Sequence, residues 1–184
     1  MRSYKTEGII IKRTNFSEAD RILTVFTKHY GKIKVLAKGI RRINSRRGGN
    51  LEIFNLVTII LSEGKNFDIV TEVEVKKSFP NLRKDLKKIG LVYYFCELIE
   101  SLCPERQENS SVLELLLEVL DSLEEREIWE IGERREKEYF ETKLLKELGY
   151  LSKDKDYPNL DIKKYLENIL QRKLKSERVL KLVS

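Results

Sequence analysis

The side chains best suited to a polyanion are concentrated in one interval of the chain. Between Asp20 and Glu52 there is no carboxylate, and there are nine bases: Arg21, Lys28, Lys32, Lys34, Lys38, Arg41, Arg42, Arg46 and Arg47. An ordinary solvated surface interleaves both signs, so a run of this kind is the electrostatic footprint of a phosphate-binding face. The excess belongs to the first half: residues 1–80 hold 16 Lys and Arg against 8 Asp and Glu, or +8. Residues 81–184 hold 20 against 22, or −2. Groups for covalent or acid–base chemistry are sparse by comparison. Glu18 and Asp20 sit beside Arg21 in a turn, where a local salt bridge or Asx turn accounts for them. His29 is the single histidine and precedes the turn residues Tyr30 and Gly31. The sequence has no G-x-G-x-x-G, phosphate loop, nucleophile elbow or H-E-x-x-H. Cys96 and Cys103 are too few for a disulfide framework or a four-ligand zinc site. The expectation is a protein without catalytic residues, cofactor or metal.

Elements that would position these bases follow from periodicity. Gly8–Ile11 is a short apolar run, and Asn15–Asp20 supplies turn formers before the β-branched run Arg21–Thr27. Residues 32–38 alternate, with Ile33, Val35 and Ala37 on one face and Lys32, Lys34, Lys38 and Leu36 on the other, the pattern of a half-buried strand with a basic outer face. Gly39–Asn50 has turn formers and four arginines, which marks a mobile loop. Leu51–Ser62 and Phe67–Val75 complete five strands, joined by a turn at Glu63–Asn66. Five strands without intervening helices close most economically as a small antiparallel barrel, which removes sheet edges. Tyr30 and Phe54 are stacking candidates there, against the alternative that they are core.

At Phe79-Pro80 the apolar period changes from 2 to 3.6. Leu82, Leu86, Ile89, Tyr93, Cys96, Ile99 and Cys103 trace one helical stripe, widened by Val92, Phe95 and Leu102, and Pro104 stops it. Ser111 to Glu114 fits a capping box, a third helix is expected over 128–148 with Gly149 as its cap, and a last one starts at Asp161. The fold class is therefore α+β: an OB-fold barrel over 1–78, then an all-α domain over 79–184. No segment reaches the ~20 apolar residues of a membrane span, and no signal peptide is evident, so a cytoplasmic protein is expected.

An ordered series of short segments resembles RecO, the bacterial recombination mediator family. They are Gly8-Ile9-Ile10-Ile11-Lys12-Arg13, Ser17 to Leu23, Tyr30-Gly31-Lys32, Ala37-Lys38-Gly39 and Arg46-Arg47-Gly48-Gly49. Ser78 to Leu86, Tyr93 to Leu98 and Leu174-Lys175-Ser176-Glu177-Arg178 continue the series. Many members carry a four-cysteine zinc module after the L-G-Y that is Leu148-Gly149-Tyr150 here. Only Leu151–Leu160 separates that point from the last helix, so no zinc is expected.

The resemblance implies a DNA repair mediator that binds single- and double-stranded DNA without reading sequence and anneals complementary strands. It also implies loading of the RecA recombinase with RecR on strands coated by single-stranded DNA-binding protein, in a cytoplasmic, nucleoid-associated setting. Carried onto this chain, Lys32, Lys34, Lys38, Arg41, Arg42, Arg46 and Arg47 would contact phosphates. Arg134, Arg135, Lys143, Lys175 and Arg178 would receive the acidic tail of single-stranded DNA-binding protein, the last two on the final helix. An RNA-binding barrel, a non-catalytic interaction scaffold, and an enzyme (which would need an acidic metal cluster) are the alternatives.

Overall fold

The computed structural model describes residues 2–42, 48–126 and 132–176. The chain divides into two compact units, one formed by Met1–Ser78 and Pro104–Leu113, the other by Phe79–Cys103 and the described residues from Glu114 onward. Thus a segment beyond the 78/79 boundary belongs with the barrel.

The first unit is built on β1 (Ser3–Phe16), β2 (Asp20–Thr27), β3 (Gly31–Ala37), β4 (Leu56–Ser62) and β5 (Asp68–Lys77), closed in the order β1-β2-β3-β5-β4. Four ladders are antiparallel, but β3 and β5 run parallel, with Val35 opposite Asp68 and Leu36 opposite Ile69. This corrects the all-antiparallel expectation, and the reason is parity. Five strands in a ring cannot alternate direction all the way round, so at least one neighbouring pair must be parallel. Alternate residues fill the interior, among them Ile10, Leu23, Val25, Ile33, Val35, Val57, Ile59 and Leu61.

Three local expectations change. β1 runs far beyond Gly8–Ile11, pairing first with β4 and then with β2, with a register shift between Ile10 and Lys12. The turn narrows to Ser17–Ala19. Residues 51–55 are not strand. They form a turn in which Phe54 adopts φ 73°, and the Phe54 amide donates to the Ile10 carbonyl at 2.7 Å, beside the β1 irregularity. Leu51, Ile53 and Phe54 are all buried, which explains why the segment reads as apolar strand. Gly31 is required twice over: its φ is +59°, and a Cβ there would lie 1.8 Å from the Gln107 carbonyl oxygen.

The second unit holds a 3-10 turn (Leu82–Lys84), α1 (Leu86–Leu102), α2 (Ser110–Glu125, whose first turn falls in the barrel unit), α3 (Glu133–Glu147) and α4 (Ile162–Leu170). Asp85 caps α1 by accepting from the Lys87 and Lys88 amides, and Glu124 accepts from the amides of Asn81 and Leu82. α2 begins one residue before the expected capping box, and Asn109 accepts from the Val112 amide. Gly149 ends α3 as expected. It takes φ +79° and donates to the Lys146 carbonyl, while Tyr150 donates to Leu145.

α1 is not a one-stripe helix. Leu86 and Tyr93 are exposed, whereas Leu91, Tyr94 and Leu98 on other sides are buried together with Val92, Phe95, Cys96 and Ile99. A helix buried on most of its circumference is central to its unit. Phe95 stacks on Phe140 of α3 at 4.1 Å between ring centroids. The Tyr94 hydroxyl donates to the buried Glu141 carboxylate, with the Lys137 ammonium 4.3 Å from the Tyr94 ring centroid.

Candidate nucleic-acid interface

The exit of β3 is fixed by the β1–β2 turn. The Gly39 amide donates to the Asp20 carboxylate at 2.7 Å, the Arg41 amide donates to the Ala19 carbonyl at 3.0 Å, and the Arg41 guanidinium donates to the Ser17 carbonyl at 3.2 Å. Asp20 therefore holds this exit together rather than pairing with Arg21, whose Nε donates to Asn15. The result presents Lys38, Arg41 and Arg42, all exposed, along one short stretch of rim. Arg46 and Arg47 lie outside the described residues.

The two lysines in the middle of β3 are placed differently. Lys32 is only 7% exposed, its carbonyl accepts from the Arg106 amide at 2.9 Å, and it forms a parallel bridge with Glu105. Lys34 is exposed and ion-paired with Glu105. That contact, seconded by the charges of Lys32 and Arg106, outweighs the opposing effect of burial and holds the Glu105 carboxyl below its usual range. Segment 104–113 thus supplies a carboxylate to the very strand that alternation marks as basic. The partner is 71 residues away, and no local pattern announces it. The open cationic surface shifts from the strand to its exit.

The barrel unit exposes aromatic side chains at two places. Phe54, a stacking candidate from the sequence, is 2% exposed and belongs to the interior. Phe16 at the end of β1 is exposed and meets Phe67, just before β5, edge-on at 6.3 Å. This pair bridges the β1–β2 and β4–β5 connections, the loops that flank the binding face of OB barrels. Sequence reading missed it because Phe16 stood among turn formers and Phe67 within an alternating strand. Tyr30 is the second exposed aromatic, packed on Tyr4 at 4.8 Å.

The five candidates for an acidic partner do not form one described patch. Arg134 pairs with Glu138 one turn along α3. Arg135 lines a cavity of about 600 Å³ with Glu118, Asp121, Glu125, Glu136 and Tyr139, surroundings already rich in carboxylate. Burial, with Glu118 nearby, pushes the Glu136 carboxyl up. Lys143 lies 5.8 Å from the Tyr139 ring centroid. Lys175 follows α4 instead of belonging to it: the Glu97 carboxylate accepts from its amide, from Ser176 and from Arg172, and these hydrogen bonds outweigh burial to hold that carboxyl low. Arg178 lies outside the described residues.

The residues present do not fit a thiolate zinc site. The 150–160 loop offers Ser152, Asp154 and Asp156 but neither Cys nor His. Cys96 and Cys103 are buried on and just after α1, and burial drives the Cys96 thiol far from the thiolate a zinc ion needs. No helix among the described residues is long and apolar enough to cross a membrane.

A closed five-stranded barrel of this strand order with a cationic rim, joined to a helical unit, defines an OB-like, two-unit protein. Comparison with known proteins makes the assignment particular. Residues 1–79 match the family model "Recombination protein O N terminal", and residues 83–152 match "Recombination protein O C terminal". The chain belongs to the RecO family. It is 38% identical over 149 residues to a protein named DNA repair protein RecO from Roseiflexus sp. (strain RS-1), covering 81% of this chain and 51% of the relative. It is 36% identical over 147 residues to the protein of that name from Dehalococcoides mccartyi (strain ATCC BAA-2266 / KCTC 15142 / 195), covering 80% of this chain and 56% of the relative. The chain spans about half the length of the curated relatives it matches.

Proposed function

We propose that this chain acts in DNA repair as a non-catalytic recombination mediator. It binds single- and double-stranded DNA through the sugar-phosphate backbone, anneals complementary strands, and with RecR helps to place the RecA recombinase on strands coated by single-stranded DNA-binding protein, in the cytoplasm at the nucleoid. One observation carries the reading: Lys38, Arg41 and Arg42 stand exposed on a β3 exit that hydrogen bonds tie to the β1–β2 turn. Phosphate contacts position a strand without reporting its sequence, so the binding is sequence-tolerant. Annealing needs no reacting group. The protein has only to offset the mutual repulsion of two polyanions while bases find their partners. The pair with Glu105 withholds Lys34 from the phosphate-binding set, and Arg46 and Arg47 complete that set. The acidic tail of single-stranded DNA-binding protein falls to Lys143 and Lys175 of the helical unit, with Arg134, Arg135 and Arg178 as the remaining candidates.

The test is the annealing rate of complementary oligonucleotides, bare and coated with single-stranded DNA-binding protein. Acceleration of both supports the mediator reading. Binding to structured RNA in preference to DNA, without acceleration, would favour an RNA-binding barrel.

A further inference from the structure

A second feature of the barrel unit lies apart from the β3 exit. Arg2, Tyr4, Tyr30, Glu63, Gly64, Asp68 and Arg106 line a cleft of about 460 Å³. Its floor is a closed hydrogen-bond system. The Asp68 carboxylate accepts from the Tyr4 hydroxyl at 2.7 Å, from the Arg106 guanidinium at 3.1 Å and from the Gly64 amide at 3.4 Å. Burial opposes ionisation of Asp68, but these donors prevail and its carboxyl is held low; burial and the same contact push the Tyr4 hydroxyl up. Both groups keep their protonation states across the neutral range. Arg106 holds a left-handed backbone at φ 57°, costly for a non-glycine residue and a pointer to function when the surroundings enforce it. Here its amide is bonded to Lys32, and its side chain stays 64% exposed after meeting Asp68.

Tyr30 forms the wall. Its amide donates to the Thr27 hydroxyl, which fixes the turn, and its ring rests on Tyr4 with an interplanar angle of 55°. Tyr30 remains 38% exposed. The arrangement is therefore a rigid aromatic surface, backed by a second ring, beside an oriented guanidinium. Two arginines and two carboxylates leave the lining formally neutral, so attraction for a phosphate chain is not what it supplies.

We propose that this cleft seats one unpaired base of a single-stranded DNA chain, stacked on Tyr30 with the planar Arg106 donors at its edge. The proposal rests on the DNA-binding reading above and deepens it. The charged β3 exit takes any strand, single or paired, whereas the cleft takes only a base that has left its stack. One surface holds the chain and the other exposes a base, which is the division of labour that annealing needs.

The test uses oligo-dT, a duplex of equal length, and fluorescence anisotropy at 50 and 300 mM salt. Tyr30→Ala is expected to weaken oligo-dT binding about tenfold, within the range that one stacked base contributes. The factor should be equal at both salt concentrations, with duplex binding unchanged. Tyr30→Phe, which keeps the ring, should bind within twofold of the parent protein. In the unsubstituted protein, photocrosslinking of an iodouracil-containing oligonucleotide should label Tyr30, a readout that requires no variant to fold. A crosslink elsewhere only, equal losses on duplex and single strand, or no effect of Tyr30→Ala would overturn the cleft while leaving the β3 exit standing. Absence of DNA binding by the parent protein would overturn both.

Discussion

Salt dependence distinguishes the strand-face reading from the strand-exit reading, because each neutralised phosphate on a single strand contributes roughly 0.7 to the slope of log affinity against log salt. Seven bases emerge from the sequence, and all seven acting together would give a slope near −4.9. The structure removes two from the freely available set: Lys32 is buried, and Lys34 is paired with Glu105. Five remain, and the slope falls to about −3.5. Over a sixfold rise in salt, from 50 to 300 mM, that is a loss of about 500-fold in affinity, against about 6,000-fold for seven contacts. Anisotropy titration of a labelled oligo-dT across five or six salt concentrations resolves the difference. A slope of about −4.2 or steeper would show that the Glu105 pair does not withhold Lys34, and a flat response would remove the electrostatic mechanism altogether.

Four further outcomes follow from the same contacts. Glu105→Gln should release Lys34 and steepen the slope for single strands by about 0.7, read in the same titration. Asp68 has its folded pKa depressed, so its contribution to stability is present above the unfolded value of about 3.9 and is lost as pH falls through the lower folded value. Urea melts should therefore show Asp68→Asn less stable than the parent at pH 7, with the gap closing below pH ~4. Glu97→Ala leaves the amides of Lys175 and Ser176 without their acceptor and should cost about 1–3 kcal/mol, with faster hydrogen exchange at 172–176 as the local readout. Cys96 and Cys103 should stay unreactive towards a disulfide reagent in the native protein and titrate as two thiols in denaturant, since both are buried.

Much of the barrel is legible because its signal is local. The alternation of 32–38 specifies which side of β3 faces inward, and Ile33, Val35 and Ala37 are indeed core. The parallel β3–β5 ladder was also within reach, since an odd ring forbids full alternation. Other features depend on distant partners and leave no local trace. Leu51–Asn55 is apolar enough for a strand, yet it closes against Ile10 as a turn. Pro104–Leu113 follows a helix stop and falls by sequence within the all-α domain, but it belongs with the barrel and brings Glu105 to Lys34 and Gln107 to Gly31. α1 misled for a different reason: its sequence carries apolar residues on more than one face, so a single stripe fits it while exposing Leu86 and Tyr93. Of the site, the β3 exit was legible as charge without acid. Tyr30 was a stacking candidate, but its cleft was not legible, because the other components are drawn from the beginning of β1, the β4–β5 turn, the first residue of β5 and a residue beyond α1.

The central claim is that the β3 exit and its loop hold DNA by charge alone. Replacing Arg41, Arg42, Arg46 and Arg47 together with Ser, and measuring affinity for several unrelated oligonucleotides, tests it directly. The account predicts an equal loss on every sequence and a residual slope near −0.7, with the melting temperature nearly preserved, because the exposed Arg41 side chain gives up only its bond to Ser17 while the backbone bonds of Gly39 and Arg41 keep the exit in place. Unchanged affinity, or a loss confined to particular sequences, would contradict it.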